Sequence, residues 1–190
     1  MNIIVTGTPG VGKTSIAKKL ALTLNLQYVN LHEEIVRTGL VKYNEELGSY
    51  EVVNMDEVIK ILSNKITNNC VIETIVFNVL KPEKIDWVIV LRLHPEELLR
   101  RLIERGWKKI KIYNNVFSEI LDVILQEVLK TFNKDRVIEI DTTNKSIDEV
   151  INEIIKYISE GKSRFGIVDW LSICDVEFLM TLEKFRNQSF

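Results

Sequence analysis

No apolar run in this 190-residue chain approaches the roughly 18 residues needed to cross a membrane. Charge of one sign is not in excess either. The formal net charge is −2, so nothing global points to nucleic acid, although a local basic patch stays open. Cysteine is scarce: Cys70 and Cys174 are the two present, and their separation matches no metal-ligand spacing. Cys70 opens an apolar run and reads as a core thiol. There is no internal repeat and no low-complexity tract. Met1 leads straight into a strand-like run, which leaves no room for a signal peptide, and the expected location is cytoplasmic. The length is that of one domain with, at most, an appendage.

What is present begins with Gly7-Thr8-Pro9-Gly10-Val11-Gly12-Lys13-Thr14, a match to the phosphate-binding loop G-x-x-x-x-G-K-[ST]. Ile3, Ile4 and Val5 before it read as a buried strand. Ile16, Ala17, Leu20, Ala21 and Leu24 after it share one helical face. The motif therefore lies between strand and helix, as its chemistry requires. Backbone N–H groups and the helix N-terminus attract phosphate. Lys13 is placed to reach the β- and γ-phosphates, and the Thr14 hydroxyl to ligate Mg²⁺. A nucleoside triphosphate is the expected ligand.

Further strands are expected at 26–30, 70–73, 87–92 and 136–141. The middle two are apolar without alternation, as strands covered on both faces are. Helices are expected at 32–38, at 55–67 behind the Asn54 and Glu57 capping pair with Ile66 on its inner face, and from Pro95 to Arg105. A long amphipathic helix is expected over 113–132, and another behind Ser146 and Glu149. Strands alternating with helices imply an α/β fold with a five-stranded parallel sheet, helices on both faces and the ligand at the carboxyl ends of the strands. Gly7–Thr14, Glu73, Arg92 and Asp141 fall on that edge. Residues 40–54 show no period and read as a surface insertion with a functional role. Residues 1–160 form the main domain. Residues 161–166 read as a hinge, and 167–187 as one added helix that packs back on the core or meets a partner.

Several classes of phosphate-loop protein are excluded. None of the eight glycines has the upstream Asp of a switch GTPase D-x-x-G. Asn144-Lys145-Ser146-Ile147-Asp148 misses the guanine-reading N-K-x-D by one residue. A large motor or AAA-type ATPase needs a longer chain. Small kinases that move a phosphoryl group between nucleotides remain. Their chemistry needs aligned phosphate chains, Mg²⁺, positive charge on the migrating group and exclusion of water. Arg101 and Arg105 lie one turn apart on a helix and share a face, with ion pairing to Glu97 and Glu104 as the plain alternative. Lys108, Lys109 and Lys111 follow in a segment short enough to be a lid. Arg92 ends a strand, and Arg37 with residues 40–54 offers a second, acceptor site. His32 and His94 read as structural.

The phosphate loop, Arg101-Leu102-Ile103-Glu104-Arg105-Gly106-Trp107 and Asn115-Val116-Phe117-Ser118-Glu119-Ile120 together resemble adenylate kinase isoenzyme six, over about residues 1–158. The resemblance implies a three-layer P-loop fold of the nucleoside monophosphate (NMP) kinase type with a short lid at about 104–114, and leaves the C-terminal helix as an extra. It implies that Gly10, Gly12, Lys13, Thr14 and Ser15 hold ATP phosphates and Mg²⁺, and that Arg105 contacts nucleotide. Lys145 would lie beside the adenine. Residues 30–53 would take the monophosphate, with Arg37 there and Arg92 nearby. It further implies broad NMP kinase activity, ATPase activity and transient binding of a universal small-subunit ribosomal protein of the platform, in ribosome maturation. The alternative is a nucleotide-gated assembly factor with little kinase activity. In one place the chain departs from the pattern. The family's Asp-x-His after the third strand is here Glu73-Thr74-Ile75, so Glu73 would hold a Mg²⁺-bound water while Ile75 cannot replace an imidazole.

Overall fold

The computed structural model describes residues 1–45, 49–63 and 68–187. Five parallel strands form the central sheet in the order β2 (Gln27–Asn30), β5 (Cys70–Glu73), β1 (Asn2–Gly7), β6 (Trp87–Arg92), β7 (Val137–Asp141). Residues 40–54, aperiodic in sequence, contain a separate antiparallel hairpin of β3 (Val41–Asn44) and β4 (Ser49–Val52). Alternate residues of each central strand feed opposite cores. Ile3, Val5, Val71, Ile89, Leu91 and Ile138 face a layer built from α1 (Lys13–Leu24), α4 (Pro95–Glu104), α5 (Lys109–Ile120) and α7 (Ile147–Glu160). Ile4, Ile72, Val88, Val90 and Val137 face α2 (Leu31–Arg37), α3 (Met55–Ser63) and α6 (Val123–Thr131). Both faces are covered, which is why these strands read as unbroken apolar runs.

The expected caps are in place. Asn54 accepts from the Glu57 N–H at 3.2 Å. Ser146 and Glu149 close a full capping box. Ile66, expected on the inner face of α3, lies outside the described residues.

Three expected elements take a different form. The helix expected over 113–132 is two helices, broken at Leu121 and Asp122, where Asp122 adopts φ 55°. The apolar spacing runs through the break, so periodicity does not reveal it. The physical reason is that α5 packs on one face of the sheet and α6 on the other, and the chain must turn between them. The basic segment 107–111, read as a short lid, is irregular only over 107–108, since Lys109 begins α5. The added C-terminal helix is likewise two, α8 (Trp170–Ile173) and α9 (Val176–Asn187), with Asp175 accepting the Phe178 N–H at 2.7 Å. Of the two placements open for this segment, it packs back on the core, with Leu182 fully buried. The hinge at 161–166 is anchored: Arg164 pairs with β7 through its own N–H to Val137 O at 2.9 Å and through its carbonyl, which accepts from Glu139 N at 2.6 Å.

At the carboxyl end of β6, Arg92 is almost wholly buried and held by three carboxylates. Its Nε donates to Glu119 at 2.8 Å and its Nη1 to Glu139 at 2.6 Å, and Asp122 accepts from Nη2. Burial opposes the charge, but the surrounding acids win and push the guanidinium pKa up. Replacing Arg92 with Met strands buried carboxylates, so unfolding free energy falls by about 3–5 kcal/mol, a loss on the order of 10 °C in melting temperature at this size. Thermal and urea unfolding check this, with the same change at exposed Arg100 leaving stability near wild type.

Candidate active site

The phosphate loop is clamped between β6 and α4. A Cβ on Gly7 would lie 2.4 Å from the Leu91 carbonyl oxygen, and one on Gly10 2.6 Å and 2.9 Å from the side chains of Leu98 and Leu102. Both residues also have positive φ, 140° and 108°, so only glycine brings the backbone this close. Within the loop Lys13 Nζ donates to the carbonyls of Gly7 at 2.8 Å and Thr8 at 3.2 Å. Burial lowers the Lys13 pKa to about 8, partly offset by the negative charges of Glu73 and Glu119, with Arg105 adding to the decrease.

Register brings a second group to the loop. β5 pairs with β1 so that Glu73 stands beside Val5, and β2 pairs with β5 so that Asn30 stands beside Glu73. The Glu73 carboxylate accepts from Thr14 Oγ1 at 2.6 Å, from the Tyr28 hydroxyl at 2.5 Å and from Asn30 Nδ2 at 3.5 Å. Burial, with Glu73 adding to it, pushes the Tyr28 phenol well above its ordinary range, so it remains a donor. Asn30 also caps α2 by accepting the Glu33 N–H. One hydroxyl and one carboxylate thus sit side by side at the cleft edge. Among the described residues no group of three or more His, Cys, Asp or Glu side chains forms a metal cluster. Two oxygen donors of this kind fit Mg²⁺, which takes few protein ligands and keeps water and phosphate oxygens.

A cleft of about 730 Å³ opens over the loop. Its floor is Gly10, Gly12, Lys13, Thr14 and Ser15. One wall is His32 with Tyr43 and Tyr50 of the hairpin, the two tyrosine rings 5.2 Å apart edge to face and His32 6.3 Å from Tyr50. The other wall is Arg105, Trp107 and the first turns of α5, where Lys111 Nζ sits 4.4 Å from the Trp107 ring. Lys108, just before α5, donates to the carbonyl of Glu45, just after β3, at 2.5 Å.

Of the residues expected from sequence, Gly10, Gly12, Lys13, Thr14, Ser15, Glu73 and Arg105 all line this cleft. Arg101 does not. It is bound to Glu97 at 2.9 Å, the plain alternative, although its Nη1 lies 4.0 Å from where a Gly12 Cβ would stand. Arg92 is corrected: it serves the buried ion cluster and has no face toward the cleft. Arg37 is corrected as well. It is exposed, pairs with Glu33 and Glu34 on its own helix, and borders a separate depression beside β2. Lys145 is bound to Glu153 at 2.7 Å and does not line the cleft. The sequence reading took His32 as structural, whereas Asn30, Trp107 and Asn114 lie within the expected acceptor region 30–53 and lid 104–114 without an assigned role. The two tyrosines in the polar insertion were the signal available for that wall.

A sequence-family model described as an AAA domain matches residues 3–122. The length argument against a large AAA-type machine does not bear on so short a core. A protein of Pyrococcus furiosus named "putative adenylate kinase" is 43% identical over 174 residues, 91% of this chain and 93% of that protein. Proteins of the same name from Saccharolobus solfataricus and Methanocaldococcus jannaschii are 41% and 37% identical, covering 97% and 90% of this chain and 95% and 93% of their own. Among solved structures, shikimate kinase from Aquifex aeolicus superposes with TM-score 0.52 at 20% identity, over 84% of this chain and 97% of that one. The enzyme from Bacteroides thetaiotaomicron gives 0.53 at 18%, over 84% and 98%. These structural likenesses show the shared kinase fold. No helix among the described residues is long and apolar enough to cross a membrane.

Since Lys13 loses its proton near pH 8, triphosphate affinity is expected to fall above about pH 8, approaching tenfold per pH unit as one proton must be taken up on binding. Calorimetric titration of ATP across pH 6.5–9.5 (roughly the span either side of that value) checks this, and Lys13→Met binds weakly with the slope gone.

Proposed function

This chain belongs to the adenylate-kinase-like family of those archaeal proteins, and on that premise we propose that it transfers the γ-phosphoryl group of ATP to AMP or another nucleoside monophosphate. The observation that carries the reading is that the phosphate loop and the aromatic hairpin face each other across one cleft, with Arg105 and Lys111 beside the gap. Lys13 and the loop N–H groups hold the β- and γ-phosphates. The rings of Tyr43, Tyr50 and His32 take the acceptor base by stacking, which every base offers, so acceptor choice is broad. Arg105 supplies charge to the migrating group, and Lys108 with Glu45 narrows the opening to water. Thr14 and Glu73 would hold Mg²⁺, which when bound neutralises phosphate charge. No covalent intermediate is needed.

Hydrolysis of ATP accompanies transfer in this reading but runs well below it. Ile75, exposed in the cleft, offers no proton acceptor to a water. A second reading is a nucleotide-gated factor of small ribosomal subunit maturation that docks a small-subunit ribosomal protein. Leu171, Ile173, Val176 and Met180, all exposed on the C-terminal extension, favour it. Pull-down from native lysate with and without ATP tests that reading, and recovery of no ribosomal component in either state rejects it.

A coupled assay over a panel of monophosphates tests the kinase reading. ATP hydrolysis with no acceptor phosphorylated above background rejects it. Tyr43→Ala and Tyr50→Ala are each expected to raise KM for the monophosphate about tenfold, since a stacked base contributes ~1–3 kcal/mol, while KM for ATP stays within about twofold.

A further inference from the structure

The C-terminal extension lies outside the matched core at 3–122, yet its buried Trp170 reaches the phosphate loop through a single carboxylate. Glu119 is 2% exposed. Its Oε2 accepts from the Thr8 hydroxyl, inside the loop, at 2.5 Å. Its Oε1 accepts from the indole Nε1–H of Trp170 at 3.1 Å, from Arg92 Nε at 2.8 Å and from the Leu93 N–H at 3.2 Å. Trp170 is itself 5% exposed, its ring edge to face with His94 at 5.2 Å. Three donors on one oxygen orient the carboxylate so that the other oxygen is aimed at Thr8. That bond tethers the residue that supplies one of the two carbonyls bound to Lys13 Nζ.

We infer that Trp170 is a positioning residue for triphosphate binding: through Glu119 it sets the conformation of the phosphate loop, so the C-terminal extension is part of the nucleotide-binding unit. The charge of Glu119 on α5, like that of Glu73 on β5, also acts on Lys13. Displacing the carboxylate therefore changes both the shape of the loop and the field at its lysine. The inference rests on triphosphate binding at this loop and is independent of the acceptor.

A cycle of variants separates this from a simple packing role. Trp170→Phe keeps an aromatic ring at this buried site but removes the N–H together with the volume of the five-membered ring, a packing loss that a second background separates from the hydrogen bond. Its dissociation constant for a fluorescent ATP analogue, and its KM for ATP, are expected to rise about three- to tenfold with kcat within about twofold. Thr8→Val cuts the same path at the loop. In the Thr8→Val background Trp170→Phe is expected to have no further effect on ATP affinity, because the path is already broken, while its effect on melting temperature persists. Glu119→Gln replaces Thr8→Val as background should the latter not fold. Unchanged ATP affinity in Trp170→Phe overturns the inference, as does an equal loss in both backgrounds. A wild-type protein with no affinity for ATP overturns this inference and the kinase reading together, whereas ATP binding without acceptor phosphorylation leaves only the kinase reading rejected.

Discussion

One buried guanidinium organises this molecule. Arg92 stands where the carboxyl end of β6, the turn between α5 and α6, strand β7 and the C-terminal extension converge. A buried cation is tolerated only where it is paired and fully hydrogen-bonded, and Glu119 and Asp122 at the α5–α6 junction and Glu139 on β7 do so. Their placement then constrains the chain. The chain turns at Asp122 to pass from one face of the sheet to the other, and that turn carries its carboxylate to Arg92. Glu139 must sit on β7, where its other oxygen accepts the Ile167 N–H at 2.9 Å. Glu119 must face inward, and its second oxygen meets the phosphate loop.

A second constraint lies on the opposite side of the loop. A glutamate has one methylene more than an aspartate, and at Glu73 that length would let the carboxylate wander. Tyr28 and Asn30 on the neighbouring strand hold it against Thr14 instead. The parallel register of β2 on β5 is therefore what keeps a longer acid in a position suited to a cation. Asn30 does this while capping α2, so the wall that carries His32 is tied to Glu73 and Thr14 by one residue.

The apolar pattern and motif spacing made much of the fold and the floor of the cleft legible. The five-stranded sheet, the Asn54 cap, the capping box at Ser146 and the residues Lys13, Thr14, Glu73 and Arg105 follow from local signals: strand periodicity, cap chemistry and a loop whose glycines have no substitute. Arg92 was misread because a strand-end arginine looks the same whether it turns toward ligand or core. Only the three carboxylates, 27 to 47 residues away along the chain, decide it. Arg37 was misread because its own helix supplies two acids that satisfy it. His32 was passed over because a single histidine carries no pattern; the hairpin folding back over it makes it a wall.

The sequence by itself determined that a triphosphate cradle follows the first strand, since backbone sterics and phosphate chemistry there are local to eight residues. Tertiary structure decided which distant side chains share the cradle. The hairpin wall, the Tyr28 brace on Glu73, the break at Asp122 and the Trp170–Glu119–Thr8 path all depend on strand order and on which face each helix covers. Those are settled by burying apolar surface on both sides of the sheet and by satisfying buried charge, which no window of neighbouring residues contains.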